Sequence, residues 1–413
     1  MSERVVVMNN VNVLDVEKGE ILDEHVVVVR DDRIIEMGTK TPTASASTRI
    51  VNCRGMTLMP GLIDGHVHVT AATADLSELA EWSPTYVAAQ ASRRLSRMLQ
   101  RGFTTVRDTG GADFGIAQAV DEGLFVGPRV IFGGKALSQT GGHGDMRGRG
   151  RVVMDDHVCC PNIAVVCDGV AEVRRTAREQ LRTGASHLKL MLSGGVASPT
   201  DRIESTQFSV EEIRAAVEEA EAVGAYVAGH AYTAPAIDRA LKAGVRSIEH
   251  GNLLADSSIQ LFLEHDAFYV PTLVTYHRLA ADGADFGLSP TSHAKVSRVL
   301  DSGLAALEAA HRAGVNIVFG SDLLGGMEDH QLDEIRIRSA VQQPIDIIRA
   351  ATVTAARLLK HEGEIGCVAP GALADLLLVD GNPLDDVSAL LSPETRLKLI
   401  MKAGVIHKND TGE

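Results

Sequence analysis

The chain has 413 residues, of which 45% are hydrophobic and 23% charged. This is ordinary globular composition, which excludes a fibrous or disordered protein and allows two or three domains, or one large α/β barrel with an addition. A formal charge of −14, from 40 Lys and Arg against 54 Asp and Glu, argues against a nucleic-acid or anionic-membrane partner and points to small molecules.

No apolar stretch reaches the ~18 residues of a membrane helix. The N-terminal Met1-Ser2-Glu3-Arg4 leads into a short valine run without the apolar core of a secretory signal. Five cysteines, Cys53, Cys159, Cys160, Cys167 and Cys367, form an odd set with no CxxC pair. Reduced thiols in a cytoplasm are the expectation, with the adjacent Cys159 and Cys160 read as structural.

In chain order, residues 1–59 carry β-branched runs at Val5 to Val7, Val11 to Leu14, Val26 to Val29, Ile34 to Gly38 and Ile50 to Cys53. Punctuated by Asp, Gly and Asn, they predict a small antiparallel sheet, with a polar surface loop over Thr43 to Thr48. Strand-like runs return at Ala374 to Asp380 and Leu397 to Ala403, so the two ends of the chain can share one sheet.

Between these ends, short apolar runs alternate with longer helical ones, the pattern of repeated βα units on a parallel sheet. Eight strand candidates are Leu58 to Ile63, Thr104 to Arg107, Val130 to Phe132, Leu188 to Leu190, Tyr226 to Ala228, Ser247 to Glu249, Phe268 to Pro271 and Ile317 to Gly320. Apolar spacing near 3.6 marks helices at 84–101, 170–183, 210–223, 234–243, 292–313 and 345–359. Eight units fit a (β/α)8 barrel better than an open doubly wound sheet.

The polar residues suited to chemistry fall at the ends of these strands, on the face where such barrels place their sites. His66 and His68 follow the first strand, Lys189 lies within the fourth, His230 ends the fifth, His250 ends the sixth and Asp322 follows the eighth. Two histidines two apart in an extended segment point the same way and can grip one metal. An isolated strand-end histidine is more often a core or surface group; four around one barrel axis argue for a metal centre. Strand alternation turns Lys189 inward, where a bare ammonium is costly. It is either paired with a carboxylate or converted by CO2 into an anionic carbamate bridging two metals. Charge counting favours the carbamate, because it, Asp322 and a bridging hydroxide offset most of the charge on two divalent ions. Asp322, after Phe319-Gly320-Ser321, suits a carboxylate that binds metal and reaches a bound water, although a plain helix N-cap is the competing reading.

The motifs are Met59-Pro60-Gly61-Leu62-Ile63-Asp64-Gly65-His66-Val67-His68, Thr105-Val106-Arg107-Asp108, Thr140-Gly141-Gly142-His143-Gly144-Asp145 and Lys189 through Gly195. They continue with Gly229-His230-Ala231-Tyr232, Glu249-His250-Gly251, Ser321-Asp322 and Pro370-Gly371-Ala372-Leu373-Ala374-Asp375-Leu376. In this order they resemble the amidohydrolase superfamily over nearly the whole chain, in particular its Xaa-Pro dipeptidase-like and imidazolonepropionase-related branch. The resemblance implies a (β/α)8 TIM barrel over residues 60–366 beside a small β-sandwich built from residues 1–59 and 367–413. It also implies two divalent metal ions, zinc first, with manganese and cobalt as alternatives. His66, His68 and Asp322 would hold the more buried ion and His230 and His250 the other, with carboxylated Lys189 as the bridge. Such enzymes are often homo-oligomers, and the same is expected here. A non-enzymatic scaffold on a decayed fold is the remote alternative, since none of the expected ligands is missing.

The implied reaction is hydrolysis of an amide bond by a hydroxide bridging the two metals, with Asp322 carrying its proton to the departing nitrogen. His143, in the glycine-rich loop after the third strand, is placed to hydrogen-bond the oxyanion. A phosphate cradle made by the same glycines would lack the Lys-Ser/Thr pair of a P-loop. In the dipeptidase-like branch a tyrosine beside the fifth-strand histidine helps hold the substrate carboxylate, and Tyr232 takes that place. Arg147, in a stretch with Arg149 and Arg151, can assist, unless the three form a solvated loop. The expected substrate is a dipeptide or N-acyl amino acid with a free C-terminal carboxylate. The alternatives are an aromatic N-acyl amino acid such as ochratoxin A, or a cyclic amide. Loops over 70–83, 272–290 and 323–330 are expected to set specificity, and the roles of His277, His330 and Trp82 stay open.

Overall fold

The computed structural model describes residues 4–40, 48–148, 150–151, 161–198 and 200–412. Residues 43–47 of the expected polar loop, Arg149, Cys159 and Cys160 lie outside the described residues, and Thr48, the last residue of that loop, instead opens a strand.

The N-terminal valine runs form β1 (Val5–Asp15), β2 (Glu20–Arg30), β3 (Arg33–Gly38), β4 (Thr48–Asn52) and β5 (Thr57–Pro60). Then come β6 (Leu62–Val67), β7 (Phe103–Asp108), β8 (Arg129–Phe132), β9 (Ala136–Ser138), β10 (Ala164–Val166) and β11 (Leu188–Met191). These are followed by β12 (Val227–Thr233), β13 (Ser247–Leu253), β14 (Phe268–Val270) and β15 (Asn316–Ile317), and the chain closes with β16 (Leu376–Val379), β17 (Leu397–Lys402) and β18 (Val405–Asn409).

The two chain ends share one sheet in the order β18-β17-β16-β5-β1-β2-β3, with β4 also on β1. The apolar strand β16 lies antiparallel to both β5 and β17, so the far end of the chain is stitched directly to residues 57–60. Val6, Met8, Val27, Leu58, Leu376 and Leu399 pack in its core, and full burial of each such side chain contributes roughly 1.5–3 kcal/mol.

The expected first barrel strand, Leu58 to Ile63, is two strands in two sheets. Thr57–Pro60 belongs to the terminal sheet, and Leu62–Val67 opens the barrel. The break falls at Gly61, where a Cβ would lie 2.1 Å from Thr104 Oγ1, so the chain crosses between sheets with no room for a side chain.

Parallel strands β6-β7-β8 and β10-β9-β11-β12-β13-β14-β15 make up the α/β body. Ser186 N–H donates to Phe132 O at 3.0 Å and Gly65 N–H to Phe319 O at 2.7 Å, joining the two runs into a ring in which the first strand meets the last. Strands β6, β7, β11 and β14 are buried along their whole length, as expected where helices cover a parallel sheet. The helix Val210–Glu221 starts at a Ser209/Glu212 capping box, and Pro290–Ala313 opens on proline and closes on Gly314 at φ +83°.

Strands β9 and β10 and the helices Phe114–Asp121, Asp256–Glu264 and Leu273–Asp282 were not expected. The last of these occupies much of the anticipated 272–290 loop. The expected 345–359 helix is two, Pro344–Ala350 and Val353–Leu359, because Thr352 leaves the helical region at φ −141°, ψ −100°. Among the described residues no helix is long and apolar enough to cross a membrane.

Candidate active site

The strand ends of the barrel bring His66, His68, Lys189, His230, His250 and Asp322 to the wall of one cavity. Asp322 Oδ1 lies 3.4 Å from His66 Nε2 and 3.3 Å from His68 Nε2, and its Oδ2 is 3.8 Å from His250 Nδ1. The backbone is bent to achieve this. His250, Thr272 and Asp322 adopt left-handed φ values of 76°, 47° and 51°, a conformation costing on the order of 1–3 kcal/mol per non-glycine residue. The Asp322 N–H donates to the His66 carbonyl at 2.8 Å, which ties the last strand end to the first.

Neighbours orient the imidazoles. His66 Nδ1 pairs with Glu249 Oε2 at 2.7 Å, His68 Nδ1 with the Gly110 carbonyl at 2.7 Å, and His250 Nδ1 with Thr272 Oγ1 at 2.8 Å. Because Glu249 and Gly110 offer only acceptors, His66 and His68 donate from Nδ1, which directs the Nε2 lone pair of each inward. His66 Nε2 is buried and has no hydrogen-bond partner among the described residues. One ligand atom from each of His66, His68 and Asp322 lies within 4.8 Å of the others. An orphaned imidazole nitrogen beside a second imidazole and a carboxylate is a donor set that fits a divalent cation such as zinc.

On the other side, His230 stacks on His143 with ring centroids 4.2 Å apart and lies 4.6 Å from His250. Burial pushes His230 and His250 well below the usual histidine range, toward the neutral form a metal requires. Burial would raise Asp322, but the adjoining His66 and His68 hold it well below the ordinary carboxylate range. Burial lowers Lys189 to about 8.

Three buried groups beneath and beside the site, two of them inside the motifs quoted above, are given no role by the sequence. Arg107 Nη2 reaches both oxygens of Glu249 at 2.8 Å and its Nη1 reaches Ser247 Oγ at 3.0 Å. Arg107 and Glu249 are charged residues inside strand candidates and stand in the motifs quoted above, and that is the signal by which the pair could have been found. Tyr276 donates its hydroxyl to that of Tyr232 at 3.0 Å, and both phenols line the cavity. Tyr276 had no comparable signal, because it lies in a segment read as a loop.

His143 and Tyr232 line the cavity as well. Arg147 is not among the lining side chains; its Nε and Nη2 each meet an Asp145 oxygen at 2.7 Å. Arg151 pairs with Glu81 at 2.7 Å. His277 is exposed, His330 pairs with Asp333 at 2.9 Å, and Trp82 stands edge-on to Tyr86 with centroids 5.5 Å apart.

A model of the Amidohydrolase family matches residues 57–406. Ochratoxinase of Aspergillus niger is 32% identical over 406 aligned residues, covering 94% of this chain and 84% of that protein. Among solved structures, a prolidase complexed with N-methylphosphonate-L-proline superposes with a TM-score of 0.95 at 47% identity, covering 98% of this chain and 100% of that one. The A. niger ochratoxinase structure gives a TM-score of 0.87 at 30% identity, with coverages of 99% and 96%. A Xaa-Pro dipeptidase with bound methionine gives 0.88 at 27%, with coverages of 98% and 100%.

Proposed function

The chain belongs to the amidohydrolase family, and on that premise we propose that it hydrolyses the amide bond of a dipeptide or N-acyl amino acid bearing a free C-terminal carboxylate. The observation that carries this reading is the single cavity shared by His66, His68, Lys189, His230, His250, Asp322, His143 and Tyr232. Likeness to a prolidase and a Xaa-Pro dipeptidase supports a peptide substrate. Likeness to ochratoxinase favours a second reading, an aromatic N-acyl amino acid such as ochratoxin A.

In this reading His66, His68 and Asp322 hold one divalent ion, and His230 and His250 hold another, zinc being the first choice. Lys189 Nζ, once its ammonium has given up a proton, would attack CO2, forming an N–C bond as one C=O π bond opens and shedding a second proton, so that a buried cation becomes an anion that could serve as a metal ligand. When bound, the ions supply Lewis-acid activation of a water and of the scissile carbonyl. Asp322 takes the proton of the attacking water on Oδ2 and delivers it to the leaving nitrogen, which departs poorly unless protonated. His143 meets the carbonyl oxygen from Nε2, donating when its ring carries both protons, a form that burial disfavours and the neighbouring Asp201 favours. Burial raises the phenols of Tyr232 and Tyr276, so they stay protonated as donors, and Tyr276 orders the Tyr232 hydroxyl toward the substrate carboxylate.

The test is metal analysis coupled to a screen of Xaa-Pro, Xaa-Arg and Xaa-Phe dipeptides, N-acyl amino acids and ochratoxin A. Two bound ions with dipeptide cleavage support the first reading, and turnover of ochratoxin A alone selects the second. A metal-loaded protein that cleaves none of them overturns both.

A further inference from the structure

The His143 ring is held on both faces. It stacks on His230 with 23° between ring planes, and a Cβ built on Gly195 would lie 2.0 Å from its Cε1. Its edge is held as well, because Nδ1 stands 2.8 Å from Ser198 Oγ, which in turn hydrogen-bonds Asp201. Asp201 also accepts from the Gly195 N–H at 3.0 Å, from Gln207 Nε2 at 3.2 Å and from Lys295 Nζ at 3.3 Å. Lys295 comes from the helix Pro290–Ala313 and donates further to the carbonyls of Gly195 at 3.1 Å and Ser198 at 2.9 Å. Ser198 and Asp201 are both buried.

The directions of these hydrogen bonds follow from the groups. A carboxylate only accepts, and a serine hydroxyl has one hydrogen. That hydrogen goes to Asp201, so Ser198 Oγ is an acceptor toward His143, and His143 donates from Nδ1. The other nitrogen, Nε2, is then the one left free of the relay. We propose that Ser198, Asp201 and Lys295 are positioning residues that keep the His143 hydrogen on Nδ1 and present Nε2 to the substrate. The relay also ties the loop after β11 to a helix that follows β14, so two separate βα units jointly set one ring. Its effect on rate rests on the amide-hydrolase reading above, whereas its effect on the ring does not.

The decisive experiment is nitrogen-15 histidine NMR on the full-length zinc-loaded protein, with His143 assigned from its missing signal in His143→Gln. The proposal expects hydrogen on Nδ1 in the wild type, loss of that preference in Ser198→Ala, and its return in Ser198→Thr. Against a dipeptide that the wild type cleaves, Ser198→Ala should lose kcat by ~10²-fold, the scale of a small misplacement, with KM and zinc content unchanged. Lys295→Met, which keeps the apolar stem, should move kcat in the same direction. Hydrogen on Nε2 alone in the wild type, or unaltered ring signals and kcat in Ser198→Ala, overturns the proposal. If the wild type cleaves no amide, the functional reading falls, and the ring signals still decide the relay.

Discussion

His66 Nδ1 lies 2.7 Å from Glu249 Oε2, and Arg107 grips both oxygens of that same carboxylate at 2.8 Å. A buried ion pair therefore sets the ring whose Nε2 faces the cavity. Burial would raise Glu249, but Arg107 and His66 hold it well below the ordinary range. Glu249→Gln should weaken zinc binding by ~10–100-fold, the usual effect of removing the partner of a ligating histidine, as read by competition against a chromogenic chelator. Arg107→Met strands a buried carboxylate, for which a loss of ~3–5 kcal/mol is expected, visible as a lower Tm. An unchanged zinc affinity in Glu249→Gln would remove this pair from the metal centre.

Asp322 carries two proposed duties, ligand and proton carrier, and an amide separates them. Asn keeps one oxygen for the metal but has no carboxylate to accept a proton. Asp322→Asn should retain most of its metal and lose turnover. A variant keeping a tenth or more of the wild-type kcat would end the assignment as proton carrier.

The six candidate ligands are legible in the sequence because a barrel sends every strand end to one face, so periodicity alone predicts their convergence. The side chains around them are not. Lys295 reaches Asp201 across 94 residues of sequence, and no local pattern announces a contact between a loop and a distant helix. Tyr276 lies in a helix whose N-cap position, Thr272, is left-handed and makes no side-chain cap bond, so the usual start signal is missing. The split at Gly61 is hidden for a different reason: both halves of the run are apolar, and hydrophobicity does not say which sheet a strand joins.

Lys189 is fully buried with no carboxylate hydrogen-bonded to it among the described residues, and its wall position beside four histidines suits a carbamate better than an ammonium. Chelated protein should regain activity with zinc plus bicarbonate faster than with zinc alone. Carbon-13 bicarbonate should then give a carbamate signal that is absent in Lys189→Ala. Equal recovery without bicarbonate in CO2-depleted buffer, with no such signal, would return Lys189 to the ammonium form.

Arg147 offers a contrast between two roles. Burial would raise Asp145, but its hydrogen bonds to Arg147 and to backbone N–H groups lower it. A carboxyl whose folded value is depressed stabilises the fold above its unfolded value of ~3.9, and that stability is lost as pH falls toward the folded value. Arg147→Gln should therefore cost up to ~1 kcal/mol near neutrality, with the gap from wild type closing below about pH 4, as measured by urea unfolding at pH 6 and pH 3.5. If Arg147 serves only Asp145, KM will not change. A rise in KM for a free carboxylate substrate, absent for its C-terminal amide, would instead place Arg147 on the substrate.

Gly195 joins the site to the loop after β11, because its Cα faces the His143 ring so closely that a Cβ would sit 2.0 Å from Cε1 and 2.4 Å from Nε2. The ring cannot retreat freely, since His230 stacks on it at 4.2 Å. Gly195→Ala must therefore tilt or displace His143, and a shift near 1 Å in a positioned group costs ~10²-fold in rate. Deleting the ring in His143→Ala should cost a similar ~10²-fold if it stabilises the oxyanion. The double variant, Gly195→Ala with His143→Ala, distinguishes a shared cause from two separate ones. With the ring gone the methyl has space, so the double variant should be no slower than His143→Ala alone. Rate losses that multiply would mean that Gly195 acts on the reaction by a route other than His143.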